Sequence, residues 1–205
     1  MKNFFIFGLP SSGLAWLANF LTWEDSFCFH EATQGVESVE ELKHVFTKTE
    51  AGMVGTADTT GLLVLSKLRT VFPDAKYLFI VRDPAEVKIS LATVGFDESG
   101  VDQLGGYLSS AIGDLTLPSA AMRYEDIFSS SMMRQIWDFL EMPGDFPWRR
   151  FELLRSMDIE HEVRNNPTTP QATLLLHDSM AKFDRLLVNT FPQPQVTQDR
   201  YSGIA

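Results

Sequence analysis

Gly8 and Gly13 bracket a short segment between an apolar run, Phe4-Phe5-Ile6-Phe7, and a helical pattern that starts at Leu14. Strand, glycine-bounded loop and helix is the arrangement in which backbone N–H groups at a helix N-terminus cradle an anion. A second apolar run, Tyr77-Leu78-Phe79-Ile80-Val81, ends in Arg82-Asp83-Pro84. Asp83 suits a helix N-cap, Pro84 the first helical position and Glu86 the third, a variant of the capping box. Arg82 then stands at the carboxyl end of a strand, where open α/β sheets bind ligands. A guanidinium there takes a phosphate in two parallel charge-assisted bonds. Without a ligand, the same residues are a strand-to-helix turn and an arginine paired with Asp83 or Glu86.

The phosphate-binding loop of nucleotide hydrolases, G-x-x-x-x-G-K-[ST], has the same glycine spacing. Here Leu14 and Ala15 stand where its lysine and magnesium-binding hydroxyl belong. That substitution argues against an ATP or GTP machine. It also opposes a kinase-like phosphotransferase, which only the glycine spacing favours.

Taken together, the segments resemble the PAPS-dependent sulfotransferases, which use 3′-phosphoadenosine-5′-phosphosulfate (PAPS). That family's first motif runs roughly P-K-S-G-T-T-W-L, and the chain matches at Pro10, Ser12, Gly13, Trp16 and Leu17. Its second, R-[ND]-P-x-[DE]-V-x-x-S, is matched at every specified position from Arg82 to Ser90. A third landmark, Y-E-D-[LMI], appears as Tyr124-Glu125-Asp126-Ile127, and Phe139-Leu140-Glu141-Met142-Pro143 is similar to the family's FLG-x-P phrase. The landmarks keep the family's order over about residues 4–143.

The resemblance implies that Pro10, Ser11, Ser12, Gly13, Leu14 and Ala15 line the 5′-phosphosulfate and that Arg82 and Ser90 hold the 3′-phosphate. It puts Trp16 against the adenine, with Tyr124 lining the same pocket. The implied reaction is transfer of a sulfuryl group from PAPS to a hydroxyl or amine of a small molecule or glycan. Ser11 replaces the family's lysine, and Leu14 and Ala15 replace its two threonines. Backbone donors survive those changes, but the missing cation removes an electrostatic contribution worth about 2.7–4 kcal/mol. Lys2, Lys88 or an arginine of the C-terminal third are candidate replacements. The family's late R-K-G phrase is absent. A catalytically impaired nucleotide-binding module is therefore the second reading.

Sulfuryl transfer needs a base. His30 and Glu31 follow the strand-like Phe27-Cys28-Phe29, and Asp58 follows another short strand over 53–57. The family uses a glutamate after its second strand or a histidine after its third, which points to Glu31 first and His30 second. The alternatives are a core-edge histidine, a solvated carboxylate and a helix cap. No cluster of metal-ligating types stands out, and no metal is expected.

The elements that must position these residues read as alternating strands and helices. Strands are expected at 4–7, 26–29, 53–57, 77–81 and 119–123. Helices are expected from 14 to 22, from 62 to 71, and around the faces Val39/Leu42/Phe46, Val101/Leu104/Leu108/Ile112 and Met133/Ile136/Leu140. The fold class is a three-layer α/β/α domain, mainly parallel, with a P-loop-like strand–loop–helix. A further helix is expected within 174–187 and an extended tail over about 190–205. Trp148-Arg149-Arg150-Phe151 reads as a helix face or as an adenine or phosphate cover.

With 205 residues the chain suits a single domain. Its net charge of −10 argues against general nucleic-acid or anionic-membrane binding. An anionic ligand must then be held by a local electropositive pocket. The one cysteine, Cys28, lies in an apolar run and reads as a buried structural thiol. The apolar N-terminal stretch faintly resembles a signal peptide but is broken by Gly8, Pro10 and Gly13. A cytoplasmic protein is expected.

Overall fold

The computed structural model describes residues 1–113 and 119–156. The helix expected within 174–187 and the tail expected over about 190–205 lie outside the described residues.

Five strands, β1 (Lys2–Gly8), β2 (Ser26–His30), β3 (Met53–Asp58), β4 (Lys76–Val81) and β5 (Ser119–Arg123), form one sheet in the order β2-β3-β1-β4-β5. Every strand pairing of this sheet among the described residues is parallel. The central strand is the apolar run that opens the chain. A strand buried on both faces has no polar side, which is why Phe4-Phe5-Ile6-Phe7 reads as continuous rather than alternating.

Alternation reappears in where the side chains go. Phe4 and Ile6 join α1 (Leu14–Leu21), α6 (Ser130–Leu140) and α7 (Trp148–Arg155) in one core, with Leu17, Phe20, Ile136 and Phe151. Phe5 and Phe7 join α2 (Val39–Lys48), α3 (Leu65–Val71), α4 (Pro84–Thr93) and α5 (Val101–Gly113) in the other, with Leu42, Phe46, Leu68, Val87 and Leu108. These are the two helical layers of a three-layer α/β/α fold. Phe5 alone packs against the rings of Phe7, Phe46, Phe72 and Tyr77.

The caps follow the sequence. Ser38 Oγ accepts from the Glu41 amide at the start of α2, and Asp83 Oδ1 accepts from the Ala85 amide at the start of α4. The helix expected over 62–71 instead begins as a 3-10 turn, Thr60–Val64, before α3. The cause is local: the Asp58 carboxylate takes the Gly61 amide and the Thr60 hydroxyl, tightening the chain as it leaves β3. Trp148-Arg149-Arg150-Phe151 forms the first half of α7, where Arg150 is buried and donates to the Asn19 carbonyl of α1. Among the described residues, no helix is long and apolar enough to cross a membrane.

Candidate functional site

In a parallel sheet the carboxyl ends of all strands share one edge, and the candidate residues collect there. Gly8 is in register with Ile80, Phe7 with Asp58, and His30 with Ala57. The loop after β1, Arg82 after β4, Asp58 at the end of β3 and Glu31 after β2 therefore flank one another across adjacent strands. Tyr124 follows β5 at the same edge, at the start of a 3-10 turn, Tyr124–Phe128.

The loop turns through two left-handed residues, Ser11 (φ 57°) and Gly13 (φ 74°). Only glycine fits at 13, because a Cβ there would lie 2.3 Å from Ile127 Cδ1. Gly13 caps α1 without a side-chain hydrogen bond, and no acidic residue occupies the first turn. The amides of that turn thus keep their anion-binding capacity. Ser12 Oγ is fully buried in the loop and has no partner. Leu14 packs into the core and Ala15 beside it. The apolar side chains at these two positions serve packing where hydroxyls would serve a ligand.

Arg82 joins the loop to the far side of the site. Its Nη1 donates to the Ser11 carbonyl, and its guanidinium carbon lies 4.1 Å from the centre of the Tyr124 ring. Its side chain is only 14% exposed, and Nε stands 3.8 Å from Glu86 Oε2. The ion pair with Glu86 and the placement at the loop coexist. Ser90 is half-buried, two turns further along α4.

Trp16 contributes to the core beside the loop. It is 6% exposed and lies in the core, stacked on Phe20 at 5.4 Å and edge-on to Phe128 and Phe151 at 5.8 Å. One face of the indole is covered by Phe20, and its Nε1 is buried with no hydrogen-bond partner. The Trp16–Phe20 spacing, one helical turn, was the signal for a core-facing position. Two of the candidate replacement cations, Lys2 and Lys88, are engaged in ion pairs. Lys2 is at the amino end of β1, opposite the loop, and pairs with Glu141 at 2.7 Å. Lys88 pairs with Asp102 at 2.7 Å.

Glu31, His30 and Asp58 form the other half of the site, and all are buried. Glu31 has a left-handed backbone (φ 56°), an uncommon and strained choice for a residue with a side chain. Both of its carboxylate oxygens lie 3.1 Å from the Thr59 amide, and Oε2 accepts from Gln34 Nε2 at 2.9 Å. Asp58 accepts from the Thr33 and Gly61 amides, each at 2.8 Å, and from the Thr33 and Thr60 hydroxyls. Burial, and then the Asp58 charge, raise the Glu31 pKa to about 8. Burial lowers that of His30 to about 4 against the opposing pull of Asp58, so its imidazole is neutral at pH 7. Thr33, Gln34, Thr59 and Thr60 are site residues that the sequence reading missed. Their only signal is the polar turn Thr59-Thr60-Gly61 directly after Asp58.

The arrangement therefore offers an anion cradle with an arginine on one flank and a carboxyl group suited to proton transfer near neutral pH on the other. Among the described residues, no group of three or more His, Cys, Asp and Glu side chains is placed to hold a metal ion.

No family model matches the chain, and no curated protein matches it. Solved structures do. The sulfotransferase domain from the curacin biosynthetic pathway superposes at a TM-score of 0.58 with 17% identity, covering 77% of this chain and 79% of that one. The YorR protein of Bacillus subtilis in complex with phosphorylated GDP gives 0.49 with 15% identity, over 68% and 95%. A mouse sulfotransferase complexed with PAP, the desulfated nucleotide, gives 0.48 with 12% identity, over 75% and 62%. By its likeness to the curacin-pathway domain, the chain has the sulfotransferase fold.

Proposed function

We propose that the protein binds PAPS and PAP at the loop after β1 and transfers a sulfuryl group to a hydroxyl or amine of a small molecule or glycan. The observation that carries this reading is Arg82. The residue that opens the fully matched second motif meets the backbone of the first motif at Ser11 and the ring of the third at Tyr124. Three motifs separated in sequence converge on one anion cradle. The buried, unpartnered Ser12 hydroxyl and the uncapped start of α1 fit a bound phosphosulfate. Arg82, with Ser90 further along α4, fits the 3′-phosphate. Tyr124 lines the nucleotide pocket.

PAPS supplies an activated sulfuryl group whose leaving group is the 5′-phosphate. The acceptor's O–H or N–H proton passes to the Glu31 carboxylate as the new bond to sulfur forms. The bond from sulfur to the phosphate oxygen breaks, and its electron pair stays on the phosphate. Glu31 with a pKa near 8 is a stronger base than an ordinary carboxylate and accepts the proton in its ionised form, which predominates only above pH 8. His30, neutral and beside it, is the reserve candidate. The test is turnover of PAPS over a panel of alcohol and amine acceptors in wild type and Glu31→Gln. Turnover that falls in the variant while PAP affinity holds supports the assignment. Undiminished turnover moves the base to His30 or Asp58.

The second reading, a nucleotide-binding module without chemistry, is favoured by one observation. Position 11 carries serine in a left-handed conformation, and both Lys2 and Lys88 are paired with carboxylates, Glu141 and Asp102. Firm PAP binding with no turnover on any acceptor identifies that case. A phosphotransferase is opposed by Leu14, whose side chain is in the core where a magnesium-binding loop needs polar groups. The compartment we propose is the cytoplasm.

A further inference from the structure

Glu31 and Asp58 are two buried carboxyl groups side by side at the ends of the paired strands β2 and β3, and two adjacent buried charges of one sign cannot both persist. One must keep a proton. The donors around them are unequal. Asp58 receives two separate backbone amides, Thr33 to Oδ2 and Gly61 to Oδ1, each at 2.8 Å, with the Thr33 and Thr60 hydroxyls on Oδ1 as well. A backbone amide can only donate, so both amides stabilise the ionised form. Glu31 has one amide, that of Thr59, shared between its two oxygens at 3.1 Å, and the Gln34 side chain. Glu31 keeps 5% exposure, which leaves its proton open to exchange, whereas Asp58 is fully enclosed, a burial that opposes its charge and that its four donors offset.

We propose that Asp58 is a positioning residue that carries the fixed negative charge of the pair and keeps the exchangeable proton on Glu31, acting through Glu31 and not on the acceptor. The inference rests on the reading of Glu31 as the proton-transfer group. The same bonds do mechanical work. Through Thr33, Asp58 fixes the 3-10 turn that follows Glu31, Ala32–Gly35, and through Thr60 and Gly61 it fixes the turn after β3. Both walls around the Glu31 carboxyl thus hang on one side chain. The titratable groups that feel the Asp58 charge are Cys28 and His30 from β2 and Glu31 at its end. Burial pushes the Cys28 thiol far up and His30 to about 4, so at pH 7 both are neutral and Glu31 alone exchanges a proton with the pair.

The test is a carboxyl ¹³C NMR titration of the full chain, needing neither nucleotide nor acceptor, with the Glu31 signal identified by its loss in Glu31→Gln. In wild type the Glu31 carboxyl titrates above pH 7. In Asp58→Asn the Glu31 midpoint drops by at least one pH unit, a tenfold change in proton affinity. A wild-type Asp58 signal that titrates above pH 7 overturns the proposal, and so does an unmoved Glu31 midpoint in a folded Asp58→Asn. The wild-type titration decides the matter even if the variant does not fold. Failure of PAPS turnover leaves both readouts intact, so the two readings fail separately.

Discussion

The Arg82 guanidinium stacks over the Tyr124 ring with 4.1 Å from guanidinium carbon to ring centre, and at the same time donates to the Ser11 carbonyl. Arg82 follows β4 and Tyr124 follows β5, and the two strands are parallel neighbours in which Val81 faces Arg123. The pairing register alone delivers both side chains to one edge. A planar cation held on an aromatic face loses less freedom when it takes up an anion than a mobile one does.

Arg82→Ala is expected to weaken PAP by about 2–5 kcal/mol, the usual cost of removing one partner from a desolvated charge pair. Adenosine-5′-phosphosulfate, which lacks the 3′-phosphate, should lose much less. Calorimetry with both ligands checks the assignment, and equal losses refute it.

Stability should fall as pH rises from 6.5 to 8. Folded Glu31 keeps its proton to about pH 8, whereas unfolded glutamate releases it near 4.5, so the native state binds the extra proton over that range. Buried His30 acts oppositely between about 4 and 6.5, because there the unfolded histidine binds the extra proton. The two effects offset up to pH 6.5, and above it only the Glu31 effect remains, at most about 1.4 kcal/mol per pH unit. Urea denaturation at pH 6.5 and 8 should show this fall in wild type and a much smaller one in Glu31→Gln.

Ser11→Lys should raise turnover toward the roughly hundredfold to thousandfold that a charge-stabilising donor contributes. The lysine must adopt the left-handed backbone of position 11, so some stability is lost as activity rises. Steady-state kinetics and thermal melts read the two effects separately. Unchanged turnover means that the missing cation is not the deficit.

Trp16→Phe should destabilise the fold by about 0.5–3 kcal/mol through lost packing against Phe20, Phe128 and Phe151. PAP affinity should stay as it was. A drop in PAP affinity without a stability loss returns Trp16 to the nucleotide pocket.

The strands and the loop were legible because they rest on local signals. An unbroken apolar run such as Phe4-Phe5-Ile6-Phe7 admits one environment, a strand covered on both faces, and Asp83-Pro84 marks a helix start whatever surrounds it. Arg82 was legible for the same reason. The packing of Trp16 was not, since Phe128 and Phe151 come from distant segments. The division of labour between Glu31 and Asp58 was also beyond local reading. It depends on which carboxylate collects the amides of Thr33, Thr59 and Gly61, and two of those three bonds span 25 or more residues.

Titration calorimetry of the unmodified protein with PAP, and separately with Mg·ATP, tests the central claim most directly. The loop after β1, with Arg82 at its flank and no lysine or magnesium-binding hydroxyl after Gly13, predicts a saturable PAP site that Mg·ATP neither fills nor displaces. Binding of Mg·ATP without binding of PAP would contradict it.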